Sequence, residues 1–329
     1  MLERIASLAC RRQVLAMLAL CFGSGAVAAA DFPAKSITIV VPFPPGSTSD
    51  LIPRLVSPVM ARSMGVPVVV ENRPGANGSV GAAKVAASPA DGYTVLLATT
   101  GVLAINQWVY ASLQYSPEKD FEPVINAAST PNMLVVSPAV MAANLKELIA
   151  LARTKPRELT FASAGHGSTS HLCGESLQAA AGIDIVHVPY QGPAPAMQDV
   201  LSGRVTMMCD NLSNVIGHVR AGRLNAIVVT SRERSPQAGG IPTSADAGFP
   251  DLEAGIWYGF VVPAGTPKDV VNKLNAEFAK ALRDPAISAN LEALGLKIVA
   301  DSPVEFRRFV ARESARMREV VKASGTRAN

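Results

Sequence analysis

Two stretches of the chain concentrate the residue types best able to do chemistry. The first is Pro42-Phe43-Pro44-Pro45-Gly46-Ser47-Thr48-Ser49-Asp50, and the second is Ser163-Ala164-Gly165-His166-Gly167-Ser168-Thr169-Ser170-His171. Both place glycine and hydroxyl residues where a β-type apolar run gives way to a helical pattern. At such a junction the first backbone N–H groups of the helix have no partner and the positive end of its dipole faces outward, which favours an anion. Glycine lets the backbone approach a ligand closely. Serine and threonine can cap the helix, donate to a carboxylate, or both. Each loop alone reads equally well as a plain helix cap. Two of them, about 120 residues apart, predict cradles facing each other across a shared cleft, because ligands of open α/β sheets sit at the carboxyl ends of strands and between lobes.

The predicted ligand contacts are therefore Pro44, Gly46, Ser47, Thr48, Ser49 and Asp50 in the first stretch. In the second they are Ser163, Ala164, Gly165, Gly167, Ser168, Thr169 and His171. Two more candidates would meet the far end of the ligand. Gln191 lies in a loop stiffened by Pro189, Pro193 and Pro195, and Asp210 closes the run Met207-Met208-Cys209-Asp210-Asn211.

Other chemistries fit less well. Ser168 stands near His166 and His171, but there is no G-x-S-x-G elbow, and a base within five residues of its nucleophile is not the usual hydrolase arrangement. Neither G-x-G-x-x-G after the first strand nor a P-loop occurs, so no nucleotide cofactor is expected. Asp50, Glu71, Asp91, Asp120, Asp199 and Asp210 are scattered, with no spacing that implies a general acid and base. Four histidines and two mature cysteines at no ligand spacing predict no metal site. Glu71 and Arg73 read as partners for other loop charges.

The elements that must position these residues alternate. Ile37–Val41, Val66–Val70 and Tyr93–Ala98 read as strands, separated by helices near Asp50–Met64 and Ser79–Ala87. This βαβαβ rhythm predicts a parallel sheet with helices on both faces. Later strands are expected at Val124–Ala127, Met133–Val136, Leu159–Ala162, Asp184–Val188, Val205–Met208, Ala226–Thr230 and Gly259–Val262. Helices are expected near Asn144–Thr154, Ser170–Ala181, Pro195–Ser202, Pro267–Leu282, Pro285–Leu294 and Pro303–Ala323. Pro58 inside the first helix removes a hydrogen bond and should kink it.

Composition narrows the class. With 329 residues the chain can bury about two domains' worth of core, and 49% hydrophobic against 17% charged residues excludes a disordered chain. The formal net charge of +4 includes Arg4, Arg11 and Arg12 at the start, and no basic tract follows, so nucleic-acid binding is not supported. Residues 1–30 read as a cleaved secretory signal: Arg11-Arg12, the apolar stretch Val14–Phe22, and small residues ending in Ala26-Val27-Ala28 or Ala28-Ala29-Ala30. That apolar stretch is too short to span a bilayer. The expected location is the periplasm, by Sec or Tat export. An oxidising compartment permits a Cys173–Cys209 bond, and the sequence leaves that pairing open.

The motifs, in order, resemble the periplasmic solute receptors of the tripartite tricarboxylate transporter family, the Bug proteins. The resemblance spans about residues 32 to 325 and rests on Val41–Gly46, Val69-Val70-Glu71-Asn72-Arg73-Pro74-Gly75-Ala76 and Asp91-Gly92-Tyr93-Thr94. It continues through Gly165-His166-Gly167-Ser168, His171-Leu172, Val186-His187-Val188-Pro189-Tyr190, Asp210-Asn211, Trp257–Phe260 and Pro263–Pro267. It implies an α/β, type II periplasmic-binding fold: two α/β lobes around a ligand cleft, with a carboxylate held by the loops Pro44–Asp50 and Ser163–His171. The expected domains are residues 31–128 with about 232–329, and residues 129–231. The expected partners are a small carboxylate and the membrane permease or a sensor protein, with the receptor a monomer. A hydrolase or isomerase on the same scaffold is the rival. Ser47 stands where a second glycine is usual, Ser49 where threonine is usual, and Cys209 where phenylalanine is common, so the pocket should differ from that of better-known members.

Overall fold

The computed structural model describes residues 32–327, and Lys35 to Arg327 belong to one compact unit. The expected signal segment lies outside the described residues. The first strand, β1 (Ile37–Val41), is buried along nearly its whole length, as expected of an apolar run at the centre of a parallel sheet. It is followed by α1 (Thr48–Met64), β2 (Val68–Asn72), α2 (Ser79–Ala86) and β3 (Thr94–Thr99). Helix α1 continues through Pro53 and Pro58, with the Ser57 hydroxyl bonded to the Pro53 carbonyl at 2.7 Å, and ends on Gly65 in the left-handed conformation.

A helical segment at residues 101–109 leads to β4 (Phe121–Val136), a single strand of 16 residues. Then come α3 (Leu145–Thr154), β5 (Thr160–Ser163), α4 (Thr169–Ala181), β6 (Val186–Pro189), α5 (Pro193–Leu201) and β7 (Met207–Asn211). The chain continues with α6 (Leu212–Arg220), β8 (Asn225–Val229), β9 (Gly255–Pro263), α7 (Lys268–Leu282), α8 (Pro285–Ala293), β10 (Lys297–Ile298) and α9 (Pro303–Ser324).

The strands order as β2-β1-β3-β9-β4-β7-β5-β6, with β8 and β10 also on β4. The outer pairs β1–β2, β1–β3, β5–β6 and β5–β7 are parallel, as the alternating pattern predicts. The centre departs from that pattern, because β9 and β4 run antiparallel to each other and to their neighbours. Strand β4 serves both halves. Phe121–Pro131 pairs with β9, whereas Asn132–Val136 pairs with β7 and Met133–Val136 with β8. The two strands expected at Val124–Ala127 and Met133–Val136 are thus one. Pro123 and Pro131 hid this, and bulges near Pro123–Ile125 and Asn126–Ala128 accommodate the change of register.

Each half has its own apolar interior. Leu96, Val102, Ile105, Trp257 and Phe306 pack one; Leu148, Phe161, Leu177, Met207 and Leu252 pack another. Cys173 on α4 and Cys209 on β7 are joined as a disulfide inside the second interior, so the pairing left open by sequence is made.

Candidate functional site

The carboxyl ends of β1, β5 and β7 open onto one cavity of about 630 Å³, within the range of small-molecule sites. Its walls include Thr48 and Ser49, the first two residues of α1, and Thr169 and Ser170, the first two of α4. The backbone N–H groups at these positions precede the first intrahelical hydrogen bond. Two helix N-termini, whose first N–H groups have no intrahelical partner, therefore border the same space.

The first cradle is held by charge. The Asp50 side chain, 5% exposed, accepts from Gly46 N at 3.0 Å, Arg54 Nε at 2.8 Å and Asn72 Nδ2 at 2.8 Å. Burial pushes the Asp50 carboxyl up, but the bonds from Arg54, Gly46 and Asn72 together outweigh it and hold it below the ordinary value. Gly46, at φ +82°, makes the turn that brings its N–H onto this carboxylate. Ser47 is the N-cap residue but caps nothing; its hydroxyl donates to the Pro44 carbonyl at 3.0 Å.

The second cradle is held by hydroxyls and histidine rings, with the Glu175 carboxylate 3.5 Å from His171 Nε2. Ser168 Oγ caps α4 by accepting from His171 N at 3.2 Å and donates to Gly165 O at 2.6 Å. Ala164 N donates to Ser170 Oγ, Gly165 N to Ser163 Oγ, and Gly167 N to His171 Nδ1. Ser163 Oγ lies 2.6 Å from His187 Nε2. Behind the loop Phe161, His187 and His171 stack, with ring centres 4.8 and 4.0 Å apart, and His166 meets the two imidazoles edge-on. Burial first, then the neighbouring His171 and His166, push the His187 imidazole down to about 3.

One nitrogen from each of His166, His171 and His187 lies within 4.8 Å of the others. The His171 and His187 rings are nevertheless face to face at 16°. A metal bond lies in the plane of an imidazole, so two stacked rings do not converge on one ion; the cluster has the geometry of a packed wall.

At the buried end, Asp210 is 2% exposed and accepts from Asn214 Nδ2 at 2.9 Å. Burial raises its carboxyl to about 6, against the lowering effect of Asn214 and the Asn211 backbone. Asn211 Nδ2 donates to Tyr258 Oη at 3.3 Å, while its buried Oδ1 has no partner. Burial and the nearby Asp210 both push the Tyr258 hydroxyl up.

Hydrogen bonds join the two sides of the cavity. Thr48 Oγ1 donates to Asn214 Oδ1 at 3.1 Å and lies 3.1 Å from Ser213 Oγ, Asn77 Nδ2 donates to Gly167 O at 3.0 Å, and Tyr110 Oη to His166 O at 3.3 Å; the Asn211–Tyr258 bond crosses as well.

Of the residues expected from sequence, Pro44, Ser47, Thr48, Ser49, Ala164, Gly165, Ser168, Thr169, Gln191 and Asp210 line the cavity. Gly46, Asp50, Ser163, Gly167 and His171 stand behind it, tied up in the bonds that shape the two loops. The wall also holds Asn77, Thr99, Tyr110, Asn214, Tyr258 and Arg327, which the sequence reading did not single out. Asn77 carried a signal, the turn composition Gly75-Ala76-Asn77-Gly78, and it sits there at φ +49°. The others arrive from elements distant in sequence. For hydrolysis, Ser168 bonds to no imidazole. Ser163 does pair with His187, but it is fully buried and outside the cavity wall.

Two α/β halves around a cleft fed by helix N-termini define a two-lobe solute-binding protein. The chain belongs to the tripartite tricarboxylate transporter family receptors, matching them over residues 52–326. It is 35% identical to protein BugT of Bordetella pertussis, over 92% of this chain and 93% of BugT. It is also similar to the solved structure of R. palustris Rpa4515 with adipate, at 37% identity and TM-score 0.86, covering 90% of this chain and 99% of that one. MatC (Rpa3494) from Rhodopseudomonas palustris with bound malate follows at 33% identity and TM-score 0.83, covering 88% and 100%.

Proposed function

We propose that this protein is a non-enzymatic periplasmic receptor that captures a small organic carboxylate in the cleft and presents it to a membrane permease of the tripartite tricarboxylate type. The observation that carries this reading is the meeting of two helix N-termini, at Thr48–Ser49 and Thr169–Ser170, on one cavity. That arrangement suits a carboxylate without any buried cation. The adipate and malate held by two similar proteins are of the same ligand class.

In this reading the lobes are residues 35–131 with 255–327, and residues 132–254. The hinge is the Pro131–Asn132 step of β4 together with the return between Val229 and Gly255. The bonds Thr48–Asn214, Asn77–Gly167 and Tyr110–His166 are then the latch of a closed state. Residues 1–30 are the export signal. Among the described residues no helix is long and apolar enough to cross a membrane.

A thermal-shift screen of purified protein, stripped of carried-over ligand by unfolding and refolding, tests the reading. The panel comprises mono-, di- and tricarboxylates, acidic amino acids and aromatic acids. Ligand at a hundred times its dissociation constant adds about 2.7 kcal/mol, a shift of several degrees. A flat panel, or turnover of the stabilising acid on standing, would sink the receptor reading.

A further inference from the structure

The cleft is nearly free of charged side chains. Among the described residues that line it, only Asp210 and Arg327 carry a formal charge; His166 is held toward neutrality, by burial first and then by His171. The two charges differ in placement. Asp210 is buried, whereas Arg327 is exposed and no ion pair among the described residues uses it.

Arg327 reaches the cavity by a defined path. Helix α9 packs against residues 101–109 and α4, and ends on Gly325 in the left-handed conformation, which turns the chain back. Thr326 is then fixed: it is 6% exposed, its Oγ1 lies 2.8 Å from Ser324 Oγ, and its N–H donates to the same hydroxyl at 3.4 Å. The next residue, Arg327, lines the cavity.

The rest follows from electrostatics and rests on the carboxylate reading above. Helix N-termini offer partial positive charge enough for one carboxylate. A second carboxylate cannot go toward Asp210, because two like charges in a buried space repel strongly. The other charge on the described wall is the exposed Arg327, whose guanidinium can take it through two parallel hydrogen bonds. We propose that Arg327 receives the second carboxylate of the ligand, so that the receptor selects dicarboxylates over monocarboxylates of the same chain length.

The test is calorimetric titration of the purified protein with matched pairs: succinate against butyrate, glutarate against pentanoate, and adipate against hexanoate. Wild type should bind at least one diacid about tenfold more tightly than its monoacid partner. That preference should shrink between roughly 20 mM and 500 mM salt, as expected for a partly exposed ion pair. Arg327→Gln should remove both the preference and its salt dependence while leaving monoacid affinity unchanged, and Arg327→Lys should keep part of the preference. An unchanged preference in Arg327→Gln, or an equal loss for both members of a pair, would overturn the assignment. Equal wild-type affinity for both members would also overturn it, with the carboxylate reading left standing. Wild type binding no acid of any pair removes the carboxylate reading itself, and this assignment with it.

Discussion

The two cradles have the same outline and different internal supports. Both are glycine-bearing loops that end a parallel strand and begin a helix, and both bring a helix N-terminus to the cavity. The first is braced by an ionised carboxylate, Asp50, with Arg54 as its charged partner. The second is braced by serine hydroxyls, histidine rings and a disulfide. The lesson is that one loop function can rest on different supports, and that the support decides which conditions break it. A cradle built on Asp50 is insensitive to redox state and resists acid down to carboxylate titration. A cradle backed by His187 and Cys173–Cys209 is sensitive to both.

The largest expected difference comes from the disulfide. The bond closes a separation of 36 residues, and in the chain-entropy model a loop of that size contributes about 4 kcal/mol. A Cys173→Ala, Cys209→Ala double variant should lose stability on that scale in denaturant unfolding. The loss of hydrogen-exchange protection should concentrate in α4 and β7 rather than α1. Equal loss of protection in the two cradles would erase the distinction.

Acid should separate the cradles next. The Asp50 carboxyl lies below its unfolded value near 4, so its contribution is present above about pH 4 and is lost as pH falls through the depressed folded value. His187 has its imidazole pushed down to about 3 from an unfolded value near 6.5. The unfolded chain therefore binds the extra proton first, and stability is lost as pH falls from about 6.5 toward 3. With allowance for its partial exposure, the effect is on the order of 2 kcal/mol. Wild type measured against His187→Gln between pH 7 and 4 should show this loss in the wild type only. Asp210 acts oppositely in part of that window. Its carboxyl, raised to about 6, favours the folded state as pH falls from about 6 to 4. The comparison must therefore be made between variants rather than on the wild-type curve alone. A pH-independent difference between wild type and His187→Gln would show that the ring stack does not brace the second cradle.

The smallest effect is the sharpest contrast. Ser47 and Ser168 hold equivalent N-cap positions, but only Ser168 caps. Ser168→Ala should cost about 1 kcal/mol of stability in ligand-free protein, whereas Ser47→Ala should cost a few tenths. Thermal unfolding of the two variants checks this, and equal costs would refute the capping distinction.

The loops themselves were legible because their signals are local: Pro, Gly, Ser and Thr in short runs fix a turn and a helix start whatever lies elsewhere. What the sequence hid is non-local. The Cys173–Cys209 bond needed a distance. Asn214 was obscured because α6 starts directly after β7 without a loop, Asn211 being both strand end and N-cap. Residues 101–109 follow β3 almost at once and share its apolar composition, so their helical character was masked. Asp50 and His171 sit in the expected loops but are not among the residues lining the cavity, and their side chains hold loop neighbours in place.

The Cys173–Cys209 bond also sets an order of events. In a reducing environment the two sulfurs remain thiols, and the half of the chain carrying the second cradle lacks one of its largest single constraints. A copy retained there would have one firm loop and one slack loop. Arrival in an oxidising space completes the second. In the export reading proposed above, the second cradle gains its covalent brace only where the two sulfurs can be oxidised.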